Sequence, residues 1–423
     1  VLSDKGPLKC LFITNFAPPL NAGGYDQLCW EVASGLRDRG HRVVLLTSDY
    51  QSKNAPPGEK DIHRELKLER NPYLASPPGD RFSRKRRQAL NLEVLMRHMM
   101  KIQPDAVILW SLWVLSKSVA AMVENLAPER TAYYLAGFWP VDGAQGLSPT
   151  RSPGKSRLKA FIRRSRSRLV GRWQEDESQP ELQFEHVMCV SAALRDALVE
   201  KGLPVAHAKI VYNGIDVDQF ARKSSQDPDW HDRQGLKLLY AGQIARHKGV
   251  HTAVEAIDQL VKHANICDVH LTIVGSGSPE YLDFLRKLVR ERGLGENVDF
   301  HDRVDRERMP DLMREFDVLV LPSIYDEPLA RIAMEGMAAG LVVISTLTGG
   351  MKELIIDGEN GLAFSPEDAG GLARQIERVH RDRSLAENLI RSARKTVEER
   401  FDIERMVDEF ESFLYEMVRT TDS

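Results

Sequence analysis

The sequence predicts an α/β protein built as two doubly wound domains, and three observations lead there. Short apolar runs rich in β formers alternate with segments of helical spacing. The alternation stops at a polar stretch near the middle and then restarts. A chain of 423 residues is also too long for one ordinary core. In the first half, KCLFITNF reads as a strand, YDQLCWEVASGLRDRG as a helix closed by Gly40, and HRVVLLTS as a second strand. DAVILWSL, TAYYLAGF, HVMCVSAALRDALVEKG and AKIVYNG continue the pattern of a parallel sheet covered by helices. The polar stretch VDQFARKSSQDPDWHDRQ, with its charges, paired serines and proline, reads as a linker. LKLLYAG, VHLTIVGSG, NVDFHD, FDVLVLPS and LVVIST then supply the strands of a second sheet, and a helical apolar pattern through Met406, Phe410, Phe413, Leu414 and Met417 closes the chain. The expected layout is a first domain over 1–216, a linker over 217–236, a second domain over 237–400, and a helix over 401–423 free to cross back to the first. Two facing domains of this kind place the carboxyl ends of both sheets along a shared cleft, where open α/β folds hold ligands.

Composition narrows the function classes. A hydrophobic content of 42%, a charged content of 28% and a net charge of −3 exclude a globally basic nucleic-acid coat, so any anion-binding surface must be local. The four cysteines, Cys10, Cys29, Cys189 and Cys267, are scattered with no CxxC pair, which argues against a disulfide framework or a zinc site and fits a reducing cytoplasm. No stretch reaches the roughly 18 apolar residues of a membrane span. The opening VLSDKGPLKCLFITNF lacks a secretory cleavage pattern, so a soluble or peripheral chain is expected.

The segment IYDEPLARIAMEGMAAGLVVISTLTGG, residues 324–350, holds Glu327 and Glu335 eight positions apart. A buried strand runs into a loop, and PLARIAMEGMAAG begins a helix with proline in its first turn. On a helix, eight residues rotate by roughly 800°, about 80° from the start, so both carboxylates can face one ligand. The N–H groups of Leu329, Ala330 and Arg331 would point to an anion, best a diphosphate. The bland alternative is a carboxylate complementing the helix dipole, with Glu335 exposed. In YAGQIARHKGV, a strand ends at Gly242, a loop carries Arg246 and Lys248, and Gly249 opens a helix. Lysine is a compact charge against phosphate and arginine adds parallel hydrogen bonds, whereas the alternative is a solvated loop. TIVGSGSPE lacks the third glycine of a dinucleotide fingerprint. Gly23 and Gly24 allow close backbone approach after the first strand, or form a plain flexible loop.

The ordered series NAGGYDQLCWEVASGLRDRGHRVVLLTS, VSAALRDALVEKG, IVYNGID, YAGQIARHKGV, TIVGSG, LPSIYDEPLARIAMEGMAAGLVVIST and GGMKELIIDGENGLAF resembles the GT-B glycosyltransferases of family 4, which are retaining enzymes with two Rossmann-like domains facing a central cleft. The resemblance implies that Glu327 touches the donor sugar, Glu335 the ribose hydroxyls and Lys248 the donor diphosphate, with backbone near Gly275 and Val304 lining the base pocket. Two departures stand out. Gln243 replaces the arginine usual five positions before the lysine, leaving Arg246 to supply that charge. YYLAGFWPVD carries Ala136 and Gly137 where relatives have a His-Asp pair before the aromatic, here Trp139, so the acceptor side is expected around Gly23, Gly24 and Trp139. In the family's front-face mechanism the departing phosphate oxygen takes the acceptor's proton, so transfer does not require that pair.

The expected activity is transfer of a sugar from a UDP- or GDP-linked donor to an acceptor hydroxyl on a sugar, a lipid-linked sugar or a small metabolite, without a cofactor. No metal is expected. Asp216, Val217 and Asp218 spell DxD, but they follow YNGI at a structural turn, and Lys248 with a helix start neutralises phosphate alone. The basic segment 151–173, with Leu158, Phe161, Ile162, Leu169 and Trp173 near helical spacing, suits an anionic membrane surface at the inner face or a solvated arm. Nucleic acid is not expected, since no RNA module accompanies the charge. A rival reading, motivated by Ala136 and Gly137, is a degenerate protein that binds a nucleotide-sugar without turnover. A nicotinamide dehydrogenase is opposed by the missing GxGxxG after the first strand.

Overall fold

The computed structural model describes residues 6–19, 23–50, 60–68, 81–115, 117–139, 141, 180–221 and 235–421. The basic segment 151–173 and most of the expected linker lie outside the described residues.

The first sheet is parallel, in the order β3-β2-β1-β4-β5-β6-β7. Its strands are β1 (Lys9–Thr14), β2 (Arg42–Ser48), β3 (Ile62–Leu66), β4 (Ala106–Trp110), β5 (Thr131–Leu135), β6 (His186–Cys189) and β7 (Lys209–Ile210). Helices α1 (Gly24–Asp38), α2 (Arg81–Ile102), α3 (Lys117–Leu126) and α4 (Ala192–Glu200) alternate with them. β4 and β5 are buried along their whole length, as the continuous apolar runs of AVILW and TAYYL require when helices cover both faces. Register is regular through the centre, with Cys10 opposite Val43 on one side and Ala106 on the other.

The second sheet is also parallel, in the order β10-β9-β8-β11-β12-β13. It consists of β8 (Leu236–Ala241), β9 (Val269–Val274), β10 (Val298–His301), β11 (Val318–Leu321), β12 (Val342–Thr346) and β13 (Leu362–Phe364). Between and after them come α6 (Val250–Lys262), α7 (Pro279–Arg292), α8 (Met309–Arg314), α9 (Arg331–Ala338), α10 (Met351–Leu354), α11 (Ala369–Arg381), α12 (Arg383–Arg400) and α13 (Ile403–Thr421). α6 buries Val250, Val254, Ile257 and Leu260, the 3-4 spacing of an amphipathic helix lying on a sheet. α7 starts at Ser278, whose hydroxyl accepts from Tyr281 N, followed by proline at the first helical position, and it ends at the left-handed Gly293.

The chain divides into two compact units, Val1–Ala33 with Arg37–Val187 and Leu414–Ser423, and Ser34–Leu36 with Met188–Phe413. This division does not follow the break expected at Asp216, because hydrogen bonds tie residues 191–213 to the second unit. The Glu353 carboxylate accepts from Ala192 N (3.0 Å), Ala193 N (2.8 Å) and Tyr212 Oη (3.0 Å), so it caps the start of α4 from another element. The segment expected as a linker begins with a one-turn helix, α5 (Val217–Phe220), and its last residue, Leu236, opens β8. Asp216 of the DxD triplet caps α5 by accepting from Gln219 N at 2.9 Å. The closing helix α13 begins in the second unit and ends in the first, where Leu414, Tyr415 and Met417 are buried and Tyr415 Oη donates to Gly6 O at 3.1 Å.

Glu353→Ala should destabilise the second unit by about 1–3 kcal/mol in urea unfolding, since it strands two amide donors. Burial and then the Glu353 charge raise the Tyr212 pKa. The substitution should therefore also lower the pH at which Tyr212 ionises, read by ultraviolet titration.

Candidate functional site

β8 and β11 sit side by side in the second sheet, and the loops leaving their carboxyl ends carry the two groups of candidates. After β8, Arg246–Lys248 form one turn of 3-10 helix and Gly249 turns the chain into α6. Gly249 adopts φ +67°, and a Cβ there would lie 1.9 Å from Pro322 O, so no other residue fits. His247 O accepts from Ile324 N at 2.8 Å, binding the lysine loop to the loop after β11.

These two loops place Lys248 Nζ 2.6 Å from Glu327 Oε1. The same carboxylate accepts from Ser323 Oγ at 2.5 Å and Tyr325 Oη at 2.7 Å, and Lys248 Nζ also lies 3.0 Å from Tyr325 Oη and over its ring at 4.6 Å. Glu327 is only 7% exposed. Burial would push its carboxyl up, but the Lys248 charge and the hydrogen bonds from Lys248, Ser323 and Tyr325 outweigh burial and hold the pKa below the ordinary 4.5. Burial, reinforced by Glu327, raises the Tyr240 hydroxyl well above its usual value. That hydroxyl stays protonated and donates to Gln243 O at 2.6 Å, so Gln243 is fixed by its backbone while its side chain is exposed. Arg246 is exposed, with no ion pair among the described residues.

The helix carrying Glu335 begins later than expected. Ala330 is extended (φ −80°, ψ 110°) and α9 starts at Arg331. The carbonyls of Glu327, Pro328 and Leu329 go to Gly350 N (2.7 Å), Ser191 Oγ (2.6 Å) and Asn213 Nδ2 (3.0 Å) rather than to helical N–H groups. Gly350 packs so closely that a Cβ would lie 1.9 Å from Pro328 O. The turn from Glu327 to Ala330 is thus clamped from outside, and the rotation of roughly 800° along one helix does not relate the two glutamates. The N–H groups of Leu329 and Ala330 have no hydrogen-bond partner among the described residues.

Glu335 is 1% exposed, against the exposed alternative considered from sequence. Arg306 Nη1 stands 2.5 Å from its Oε1, but the geometry is that of charge contact only, so this oxygen lacks a well-directed donor. Arg306 is held over the Phe220 ring of α5 at 5.2 Å. The two glutamates therefore have separate cations. Val304 lies in the loop between β10 and Arg306, and Gly275 directly follows β9, its N–H donating to His301 O at 3.1 Å. In the first unit, Gly23 and Gly24 are exposed at the start of α1, and Trp139 is buried against Tyr133 with ring centroids 6.3 Å apart. Trp139 is thus a packed core aromatic. Ala136 is buried, and a Cβ on Gly137 would meet nothing within 4 Å.

Ser323, Tyr325, Arg306, Ser191, Asn213 and Gly350 were missed in the sequence. The only signal for any of them was the run of glycines before Met351, which marks a close backbone approach without saying to what.

Two family models match the chain, one described as Glycosyltransferase Family 4 over residues 22–219 and one as Glycosyl transferases group 1 over residues 224–396. The chain belongs to the group 1 glycosyltransferases, with the GT-B fold. It is 30% identical over 223 residues to a glycogen synthase of Mycobacterium tuberculosis, covering 52% of this chain and 51% of that protein. The chain thus spans about half the length of such curated relatives. Among solved structures, Anabaena HepE in complex with UDP and glucose matches with TM-score 0.66 and 20% identity, over 96% of this chain and 99% of that one. A sucrose-phosphate synthase from Thermosynechococcus elongatus matches with TM-score 0.70 and 20% identity, over 98% and 100%.

Lys248→Met leaves the buried Glu327 carboxylate without its cation and should cost roughly 3–5 kcal/mol near neutral pH. In the wild type the folded pKa is depressed, so the contribution of Glu327 is present above the ordinary 4.5 and lost as pH falls through the folded value. Without Lys248, burial is opposed only by the Ser323 and Tyr325 hydrogen bonds, so the pKa rises from its wild-type position and acid protonates the carboxyl more readily. Urea unfolding at several pH values should show the gap between the two proteins narrowing as pH falls towards about 4.

Proposed function

We propose that the chain is a retaining, metal-independent glycosyltransferase whose second unit binds a nucleoside-diphosphate sugar, UDP- or GDP-linked, and whose first unit supplies the acceptor hydroxyl. The observation that carries this reading is the buried Glu327 carboxylate held by Lys248, Ser323 and Tyr325 beside the open N–H groups of Leu329 and Ala330. An ammonium, the two unpartnered amides and the exposed Arg246 offer donors to a diphosphate, and UDP bound to HepE is in keeping with such a donor. Lys248 turns from Glu327 towards the phosphate oxygens as the donor enters. The freed carboxylate oxygen accepts a sugar hydroxyl and orients the ring, and the undirected Oε1 of Glu335 accepts a ribose hydroxyl.

In the reaction, the bond between the anomeric carbon and the diphosphate oxygen breaks, and the acceptor oxygen bonds to that carbon on the same face. The acceptor's proton passes to the departing phosphate oxygen. Lys248 and the two amides stabilise the charge growing there, a contribution worth about 3–4 kcal/mol for one well-placed donor. This route needs no imidazole or carboxylate at 136 or 137. Residues 151–173 suit an anionic lipid surface on the cytoplasmic side. Charge reversal at Arg163 and Arg164 should lower liposome co-sedimentation at low salt.

The second reading, a binding protein without turnover, is favoured by the absence of an ionisable group at Ala136 and Gly137. A panel of nucleotide-sugars scored by nucleoside diphosphate release, with sugar, lipid and small-metabolite acceptors, separates the two. The wild type should turn over one donor, with Glu327→Ala at least about 100-fold slower in kcat/KM. Stabilisation by a nucleoside diphosphate without release from any donor would favour binding alone.

A further inference from the structure

β3 and α2 bring together three side chains that the proposed transfer does not use. His63 and Glu65 stand two residues apart on β3, across a shift in its register with β2, and the contact between their side chains puts both on one face. α2 lies against that strand and supplies His98. His98 Nε2 is 3.0 Å from Glu65 Oε1, His63 Nδ1 is 3.8 Å from the same oxygen, and the two imidazole centroids are 4.5 Å apart. One donor atom from each residue falls within 4.8 Å of the others. In a tetrahedral zinc site, bonds of about 2.05 Å put ligand atoms about 3.3 Å apart. The two spacings to Glu65 bracket that value, and the third lies within 4.8 Å.

The surroundings suit an ion. The His98 side chain is only 5% exposed, and its Nδ1 is buried without a hydrogen-bond partner, so the ring is positioned by packing and by whatever meets Nε2. Arg97 pairs with the other Glu65 oxygen, Oε2, which leaves Oε1 as a one-oxygen ligand. His63 and Glu65 are partly exposed, at 33% and 37% of their side chains, which opens a path to solvent for a water ligand. Lys101 and Asp61 act on His63 with opposite charges.

We infer that His63, Glu65 and His98 bind one divalent transition-metal ion, best matched by Zn2+, with water in the fourth position. Two imidazoles and a carboxylate are a donor set that zinc accepts. The ion joins β3, at the edge of the first sheet, to the helix covering it, with ligands 33 residues apart between Glu65 and His98. Neither the cysteine spacing nor the DxD triplet pointed here, since H-x-E on a strand and a distant histidine form no recognisable run. The proposed ion departs from the expectation that the chain holds no metal and has no part in the transfer step.

The test uses the full chain, stripped with EDTA, and calorimetric titration with Zn2+ of the wild type, His63→Gln, Glu65→Gln and a control, His270→Gln, which breaks an exposed imidazole–carboxylate pair in the second unit. One Zn2+ should bind per chain of wild type and control, with a higher Tm. Affinity in H63Q and E65Q should fall by at least about tenfold, because losing even a residue that only orients a zinc ligand costs about 10–100-fold. No stoichiometric binding to the wild type, or undiminished binding to cooperatively melting H63Q and E65Q, overturns the inference. Co2+ loaded on the wild type gives an independent reading: a tetrahedral visible spectrum supports the site and an octahedral one sinks it.

Discussion

Three consecutive carbonyls after β11 are each taken by a different partner, and the site depends on that constraint. Glu327, Pro328 and Leu329 give their oxygens to Gly350, Ser191 and Asn213. A chain left to its own propensity would continue the proline into the first turn of α9 and bend those oxygens along the helix axis. Held from outside, the chain stays non-helical until Arg331, with Ala330 extended, and the amides of Leu329 and Ala330 have no partner among the described residues. The donors holding it come from segments far apart in sequence, and the tight Gly350 contact tolerates no side chain.

Much of the fold was legible because parallel strands buried on both faces read as continuous apolar runs, and helices between them carry 3-4 spacing. AVILW, TAYYL, VHLTIV and VVIST are all strands of the structure. β3 was missed because IHREL is half-buried and polar, as an edge strand can be. The start of α9 was misplaced because proline in a first turn is a local rule, and here side chains remote in sequence override it. Glu327, Lys248 and Glu335 were legible as candidates from residue type and order. Their actual partners were not. Ser323 and Tyr325 look like ordinary loop residues, and Arg306, which meets Glu335, lies over Phe220 in a segment that reads as linker.

The electrostatics of the free protein are those of a site already compensated. Lys248 and Glu327 neutralise each other, and Arg306 faces Glu335. The buried Glu327 carboxylate is thereby kept charged without a ligand. A diphosphate entering the proposed cradle exchanges one ion pair for another rather than discharging an isolated cation. Affinity then reflects the difference between two pairs, and the Tyr325 hydroxyl, touching both members, can follow the ammonium or the carboxylate.

The path of α13 bears on how the chain is made. Leu414, Tyr415 and Met417 belong to the core of the first unit, yet some 226 residues, 188–413, emerge from the ribosome between Val187 and Leu414. At roughly 5–20 residues per second, that interval is on the order of 11–45 s. Throughout it the Tyr415 contacts with His41 and Gly6 are missing from the nascent first unit, which is completed only after nearly the whole second unit has been synthesised.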